Sequence, residues 1–152
     1  MPVHSAGILL YKRIGDSLYV LLAHPGGPFW RGRDLGAWTI PKGEYADAED
    51  GLAAARREFR EELGIDPPSA LLPLGEIRQK SGKHVTAFAG EGDFDPAQLR
   101  SNLFEIEWPP RSGRRAPFPE IDQVAWFTLD EARTKILPAQ AELLTRLEAA
   151  LR

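Results

Sequence analysis

Residues 43–65 of the 152-residue chain read GEYADAEDGLAAARREFREELGI. This stretch decides the fold, because it contains a clear helical repeat. Four apolar residues recur at spacings of three and four and form one predicted stripe: Leu52, Ala55, Phe59 and Leu63. We predict that the helix has Asp47 as its N-cap, with Asp50 in the opening turn, and that it ends at Gly64. The stripe predicts that one side of this helix packs on the protein core.

Three acids of the same helix are predicted to lie away from the apolar stripe. Glu58, Glu61 and Glu62 occupy positions i, i+3 and i+4, so they share one face. Like charges at these spacings repel each other and mildly destabilise an isolated helix. The helix alone leaves two interpretations open. The face is either solvated and balanced by neighbouring arginines, or it binds a hard divalent cation, which prefers carboxylate oxygens.

Outside this helix, most of the chain favours short strands. Six apolar segments have strand length: residues 3–11, 18–23, 71–78, 84–89, 103–108 and 123–127. The turn Lys80-Ser81-Gly82-Lys83 lies between two of them and predicts a hairpin. Near the C-terminus we predict a short helix from Thr128 to about Ile136, a break at Pro138 and a helix over residues 139–151. Strands combined with packed helices predict an α/β or α+β layered fold.

Length and composition are typical of one globular domain over residues 1–152. The 19 Lys and Arg against 22 Asp and Glu give a formal charge of -3, so we expect neither nucleic acid nor a membrane as a partner. The chain has 0 Cys, which excludes disulfides, thiolate metal sites and a cysteine nucleophile. No segment approaches the roughly 18 consecutive apolar residues of a membrane span, and none has the pattern of a signal peptide. We therefore expect a cytoplasmic protein, whose oligomeric state the sequence does not indicate.

The spacing of polar residues extends beyond the helix. Gly43 is followed after five residues by Glu49, and after seven more by Arg57-Glu58-Phe59. Glu61-Glu62 and Gly64-Ile65 then follow, each after one further residue. This order matches the Nudix box at every defined position, so the chain resembles the Nudix hydrolases. The resemblance implies an α/β/α sandwich around a mixed β-sheet, with the loop-helix-loop of the box holding Mg²⁺ or Mn²⁺.

The resemblance also implies roles for residues of the box. The acids that match the family's metal ligands are Glu58, Glu61 and Glu62. The backbone carbonyl of Gly43 matches a frequent further ligand. Arg57 resembles the family's structural arginine, which would pair with Glu49 and Glu61 and hold the acids in place. Its i, i+4 relation to Glu61 fits this role independently, and Gly64 would end the helix with a positive φ.

Hydrolysis also needs a general base that takes a proton from the attacking water. Nudix enzymes differ in whether this acid lies inside the box or beyond it. Glu58 is the candidate inside the box. Beyond it, Glu105 and Glu107 alternate along a predicted strand, and Glu120 is a third candidate. We favour Glu105 as an additional metal ligand or base, with a surface salt bridge as the alternative.

Substrate contacts are predicted on both sides of the box. Lys42 directly precedes Gly43, and Pro41-Lys42-Gly43 resembles a segment of Nudix enzymes that act on dinucleoside polyphosphates and diphosphoinositols. The cations that are candidates to contact phosphate are Lys42, Arg31, Arg33, Lys80 and Lys83, unless they are ordinary solvated charges. Trp30 or Trp38 is a candidate to stack on a base, with a place in the core as the alternative.

The family's reaction is the hydrolysis of a nucleoside diphosphate linked to another group. A diphosphate and an attacking hydroxide repel each other, and metal ions on the acid cluster would bridge the two anions. The sequence therefore predicts a metal-dependent pyrophosphohydrolase whose substrate is a dinucleoside polyphosphate or a nucleoside triphosphate. Two alternatives stay open: a nucleotide-binding Nudix module without catalysis, and an enzyme acting on a non-nucleoside diphosphate such as a diphosphoinositol.

Overall fold

A computed structural model describes residues 3–152 of the chain. The strands in this range are β1 (His4–Ile14), β2 (Ser17–Pro25), β3 (Lys42–Glu44), β4 (Leu72–Arg78), β5 (His84–Glu91), β6 (Leu103–Glu107), β7 (Arg115–Pro119) and β8 (Ile121–Thr128). The α-helices are α1 (Gly51–Leu63), α2 (Leu129–Lys135) and α3 (Ala141–Ala150). No helix of residues 3–152 is both long and apolar enough to cross a bilayer.

Six strands form one mixed sheet. Its order is β4-β5-β1-β2-β8, and β3 pairs with β1 outside this path. Strands β1 and β5 are parallel, whereas the other pairs are antiparallel. Along one edge of β1, residues 11–14 pair with β2 and residues 5–7 pair with β3. Because β2 and β3 share this edge, β3 lies beside the start of β1. Helix α1 is the next element after β3. Strands β6 and β7 form a separate two-stranded sheet.

Both faces of the mixed sheet are buried. Ile8 and Leu10 of β1 belong to a core cluster with Phe59 of α1. Leu9 belongs to a second cluster, which contains Leu143 of α3 and residues of α2. Successive side chains of a strand point to opposite faces, so the alternation in β1 explains why helices cover both sides. The predicted α/β/α sandwich around a mixed sheet is thus confirmed.

Helix α1 differs from the prediction at its start. The N-cap is Asp50 and not Asp47, and the Asp50 carboxylate accepts a hydrogen bond of 3.1 Å from the backbone N–H of Ala53. Because the helix begins late, Leu52 lies in its first turn and is exposed rather than part of the buried stripe. Gly64 ends the helix in the left-handed conformation with φ 78°, and its N–H donates to the Arg60 carbonyl. A positive φ at this position is as the sequence predicts.

The remaining differences lie in short elements. Strands β3 and β7 are absent from the sequence prediction, and β7 contains two prolines that weaken any strand signal. The hairpin at residues 80–83 is confirmed between β4 and β5. The last helix starts at Ala141, because Pro138–Gln140 forms a 3-10 turn before it.

Candidate active site

The acids of α1 line a cavity of about 360 Å³ at the start of β1 and β3. We call this space the acid cavity. Glu58, Glu61 and Glu62 lie in it, and Glu120 joins them from the residue before β8. The remaining lining residues are Ser5, Lys42, Gly43, Glu44 and Lys83. The fold therefore brings five carboxyl groups and two ammonium groups to one small space.

Arg57 orders two of these carboxylates. Its Nε and Nη2 donate to the two carboxylate oxygens of Glu49 at 3.0 and 2.9 Å, which is a bidentate pair. Its Nη1 donates to Glu58 at 2.8 Å and to Glu61 at 3.5 Å. Hydrogen bonding to Glu49 raises the pKa of Arg57 above its already high ordinary value. The contacts to Glu49 and Glu61 are those that the resemblance implied, and the contact to Glu58 is an additional finding.

Glu62 is the most deeply buried acid of the cavity. Its helical spacing predicts that it shares an outward face with Glu58 and Glu61, but only 6% of Glu62 is exposed. It follows Phe59 by three residues and therefore borders the buried side of α1. Within residues 3–152 its Oε2 has no hydrogen-bond partner. Burial, followed by repulsion from Glu58, raises the pKa of Glu62 to about 9.

Glu58 lies directly against the backbone of Gly43. A Cβ at position 43 would overlap the Glu58 carboxylate, so a larger residue there would displace this side chain. Burial and the charge of Glu61 raise the pKa of Glu58, and the Arg57 guanidinium opposes this shift. The Gly43 backbone is thereby held beside the Glu58 carboxylate.

The donor set fits a hard divalent cation. The unpaired buried oxygen of Glu62 and the raised pKa values of Glu58 and Glu62 both indicate negative charge that the protein itself does not fully compensate. The available ligands are carboxylate oxygens, which Mg²⁺ and Mn²⁺ prefer. In the described part of the chain, no three acidic or histidine side chains already converge on one ion position. Arg57 engages the Glu58 and Glu61 carboxylates in this arrangement.

Two lysines form the cationic side of the acid cavity. Lys42 is half-buried in β3, and burial together with the nearby charge of Lys83 lowers its pKa. The Nζ of Lys83 lies 3.6 Å from a carboxylate oxygen of Glu44. Lysines placed beside a carboxylate cluster provide point charges for an anion that the carboxylates alone would repel.

Glu105, the favoured acid outside the box, lies elsewhere. It belongs to β6 in the two-stranded sheet, its side chain is 60% exposed, and its carboxylate is 3.9 Å from Arg115 Nε. Glu107 on the same strand accepts hydrogen bonds from two backbone N–H groups of the following loop. Neither acid lines the acid cavity. The surface ion pair that the sequence analysis gave as the alternative for Glu105 is what the structure contains.

Glu120, the third candidate acid outside the box, lines the acid cavity. Its backbone N–H donates to the Asn102 carbonyl at 2.8 Å, and its own carbonyl accepts from Gly26 N–H at 2.9 Å. A Cβ on Gly26 would overlap the Pro119 carbonyl, so this close approach requires glycine. Burial and the charge of Glu61 raise the pKa of Glu120. The sequence signal for this acid was only its position before the last strand.

Two other predicted substrate contacts also lie outside the acid cavity. Arg31 lines a separate cavity of about 440 Å³ together with His24. Trp38 is a core residue: it is 5% exposed, and its Nε1 donates to Asp34 at 2.8 Å. Trp30, the second stacking candidate, is half-buried and lines a cavity that adjoins the acid cavity. The two tryptophans that the sequence offers as stacking candidates therefore differ: Trp38 is in the core, and Trp30 lines a cavity.

In sequence, the chain is similar to known proteins. A family model described as NUDIX domain matches residues 1–147. RNA pyrophosphohydrolase of Rhizobium meliloti (strain 1021) is 27% identical over 128 residues, covering 74% of this chain and 71% of that protein.

Two solved structures share the architecture. An Ap4A hydrolase of C. elegans in a binary complex matches with a TM-score of 0.68 and 22% identity, covering 97% of each chain. The NUDIX domain of Shewanella oneidensis NrtR, complexed with ADP ribose, matches with a TM-score of 0.69 and 16% identity, covering 100% of this chain and 90% of that one. At identities of 22% and 16%, these matches show that the chain shares the fold of the two proteins.

Proposed function

The chain belongs to the NUDIX family, as residues 43–65 predict, and from this premise we propose that it hydrolyses a pyrophosphate linkage of a nucleoside polyphosphate with the help of a divalent cation. The observation that carries the proposal is the acid cavity. Its box acids, the buried unpaired oxygen of Glu62 and the adjacent lysines are the groups that such a reaction needs. Dinucleoside polyphosphates and nucleoside triphosphates are the proposed substrates.

Glu58, Glu61 and Glu62 would hold the cation, and the carbonyl of Gly43 would supply a further oxygen. Mg²⁺ or Mn²⁺ supplies charge neutralisation of the phosphate oxygens and lowers the pKa of water in the site. Arg57 would keep the carboxylates oriented, because it bridges Glu49 to the two more exposed box acids. Arg57 is therefore proposed as a positioning residue and not as a group that contacts substrate.

Lys42 and Lys83 would contact the phosphates. They line the same cavity as the acids and approach it from β3 and from the β4–β5 hairpin. Arg31 lines another cavity, so the proposed phosphate contacts do not include it. The two lysines would offset the repulsion between the substrate and any carboxylate that the cation leaves unneutralised.

Glu120 is the proposed general base. In the reaction the oxygen of water forms a bond to phosphorus, the bridging P–O bond breaks, and the water proton passes to a carboxylate. Glu120 lies in the acid cavity without an arginine partner in the described residues, whereas Glu58 pairs with Arg57. Its raised pKa brings it nearer to the working pH of a base.

The similar proteins support a nucleotide as substrate. The names of two of them refer to RNA and to Ap4A, and the third is complexed with ADP ribose; each of these contains a nucleotide. The sequence identity is 27% or less in each case, so the names favour a class of compound and not one substrate.

A substrate panel with phosphorus NMR of the products tests the proposal. The panel contains diadenosine tetraphosphate, nucleoside triphosphates, ADP ribose, a 5′-triphosphorylated oligonucleotide and a diphosphoinositol, each with Mg²⁺ or Mn²⁺. We expect turnover of a nucleoside polyphosphate that requires the cation. Turnover of the diphosphoinositol alone would contradict the proposed substrate class, and tight nucleotide binding without any product would contradict the proposed activity.

A further inference from the structure

A second cavity, of about 290 Å³, adjoins the acid cavity. The two share four lining residues: Lys42, Glu62, Lys83 and Glu120. Away from the shared wall, the second cavity is lined by an aromatic ring, apolar side chains and two neutral polar groups. We call it the Trp30 cavity after its aromatic residue. A compound with phosphates on the two lysines would extend into this space.

The side-chain amide of Gln79 lines the Trp30 cavity, and a chain of hydrogen bonds orients it. The backbone N–H of Ile40 donates to Gln140 Oε1 at 3.0 Å, and Gln140 is completely buried. Since a backbone N–H only donates, this bond fixes the orientation of the Gln140 amide. Gln140 Nε2 then donates to Gln79 Oε1 at 3.1 Å. Gln79 Oε1 is thereby identified as the acceptor, and among residues 3–152 its Nε2 donates to no protein group.

The ring of Trp30 is held in place from two directions. It packs against the core cluster of α2 and α3, and the guanidinium carbon of Arg33 lies 5.8 Å from the ring centroid. The loop itself is tied to β8 by His24, whose Nε2 lies 2.7 Å from the Arg33 carbonyl and whose Nδ1 lies 2.9 Å from Asp122. An aromatic face held in this way can stack on a planar ligand at low entropic cost.

We propose that the Trp30 cavity is a nucleobase subsite, in which the base stacks on Trp30 and a ring nitrogen or carbonyl oxygen of the base accepts a hydrogen bond from Gln79 Nε2. The inference rests on the proposed function, because the phosphates would lie on Lys42 and Lys83 towards the acid cavity. Gln79 is then a specificity-determining residue, and the buried Gln140 is its positioning residue. An aromatic ring and a fixed donor recognise a heterocyclic base and give no advantage to a polyphosphate without one.

The first test compares substrates that differ only in the base. For wild-type protein we measure kcat/KM for ATP, GTP and ribose 5-triphosphate, and take the ratio of nucleotide to ribose compound as the base selectivity. We expect Trp30→Leu to lower this ratio by about 10-fold and Gln79→Leu by about 5-fold, with little change for ribose 5-triphosphate. Trp108→Leu and Gln98→Leu are matched controls, because both residues lie outside the two cavities.

Binding provides a readout that does not need catalysis. By calorimetry, we expect AMP or GMP to bind more tightly than ribose 5-phosphate, and both Trp30→Leu and Gln79→Leu to remove this difference. Unchanged base selectivity and base-dependent affinity in both variants would overturn the subsite. If wild-type protein hydrolyses none of the substrates but still binds AMP or GMP through Trp30, the proposed activity fails and the subsite stands.

Discussion

The acid cavity and the Trp30 cavity are neighbours, but the chain builds them in different ways. Three of the five acids in the first cavity lie within five consecutive residues of α1. The second cavity takes its wall from the loop after β2, the segment before β3, the β4–β5 hairpin and the start of β8. A cation site needs several like ligands at short range, which one helix supplies. A surface that selects a base needs different groups around a space, which requires several segments.

We expect the two cavities to have different roles, and mutations can test this difference. Changes in the acid cavity should reduce hydrolysis of every substrate, because all of them share the diphosphate. Changes in the Trp30 cavity should alter only the preference among substrates. Effects are therefore expected to decrease from the acids of α1 outward.

The largest effect is expected for the box acids. Glu61→Gln and Glu62→Gln should each lower kcat/KM by about 1,000-fold on all hydrolysed substrates, because each removes a charged ligand from the cation. The measurement is steady-state hydrolysis at saturating Mg²⁺. Glu142→Gln is the matched control, since Glu142 is an exposed acid of α3 outside both cavities. Activity within twofold of wild type in both box variants would separate the acid cavity from catalysis.

The second-largest effect on activity is expected to distinguish Glu120 from Glu105, two acids outside the box. Glu120→Gln should lower kcat by about 100-fold, because loss of a general base typically costs this much. Glu105→Gln should leave kcat unchanged, since that carboxylate lies in a surface ion pair with Arg115. A pH profile of kcat adds a readout, because the acidic limb should be lost in Glu120→Gln. The reverse ranking of the two variants would return the role to Glu105.

A smaller effect is expected for the residue that positions the acids. Arg57→Lys keeps the positive charge but loses the bidentate pair to Glu49, so we expect kcat/KM to fall by about 10-fold. The concentration of Mg²⁺ needed for half-maximal activity should rise, because the carboxylates are less ordered. Arg60→Lys on the same helix is the control, since Arg60 forms an ion pair with the exposed Asp66 and does not line the acid cavity. Equal losses in both variants would indicate a general effect on the helix.

The smallest effect concerns stability without a cation. The pKa of Glu62 is raised from an ordinary value of 4.5 to about 9, so between these pH values the folded state binds more protons than the unfolded state. The stabilisation is fully present below pH 4.5 and is lost as the pH rises towards 9. The free energy of unfolding in a chelator should therefore decrease with pH over this window, as measured by urea titration.

Glu62→Gln provides the contrast for this measurement. The amide does not titrate, so we expect the slope of unfolding free energy against pH to be flatter in this variant. Added Mg²⁺ should stabilise wild-type protein more at pH 8 than at pH 5, and should stabilise Glu62→Gln less at either pH. An identical pH slope in both proteins would mean that folding does not raise the pKa of Glu62 in solution.

The sequence was most informative where function follows local spacing. Positions three and four apart on a helix share a face in any tertiary context, so Glu58, Glu61 and the contact between Arg57 and Glu61 were predicted from residue numbers. The same reasoning failed for Asp47 and Leu52, because the start of a helix depends on how the preceding loop approaches it. It also failed for Glu62, since burial at the border of a face depends on what packs there.

By itself, then, the sequence determined the fold class, the family and the helix that carries the acids, because these follow from periodicity and from motif spacing within about 20 residues. The tertiary structure decided which distant groups complete the two cavities. Glu120 rather than Glu105 lines the acid cavity, Trp30 rather than Trp38 lines the second cavity, and Gln79 accepts a hydrogen bond from a residue 61 positions away. Contacts across the chain depend on how strands and loops assemble, and no short-range pattern specifies them.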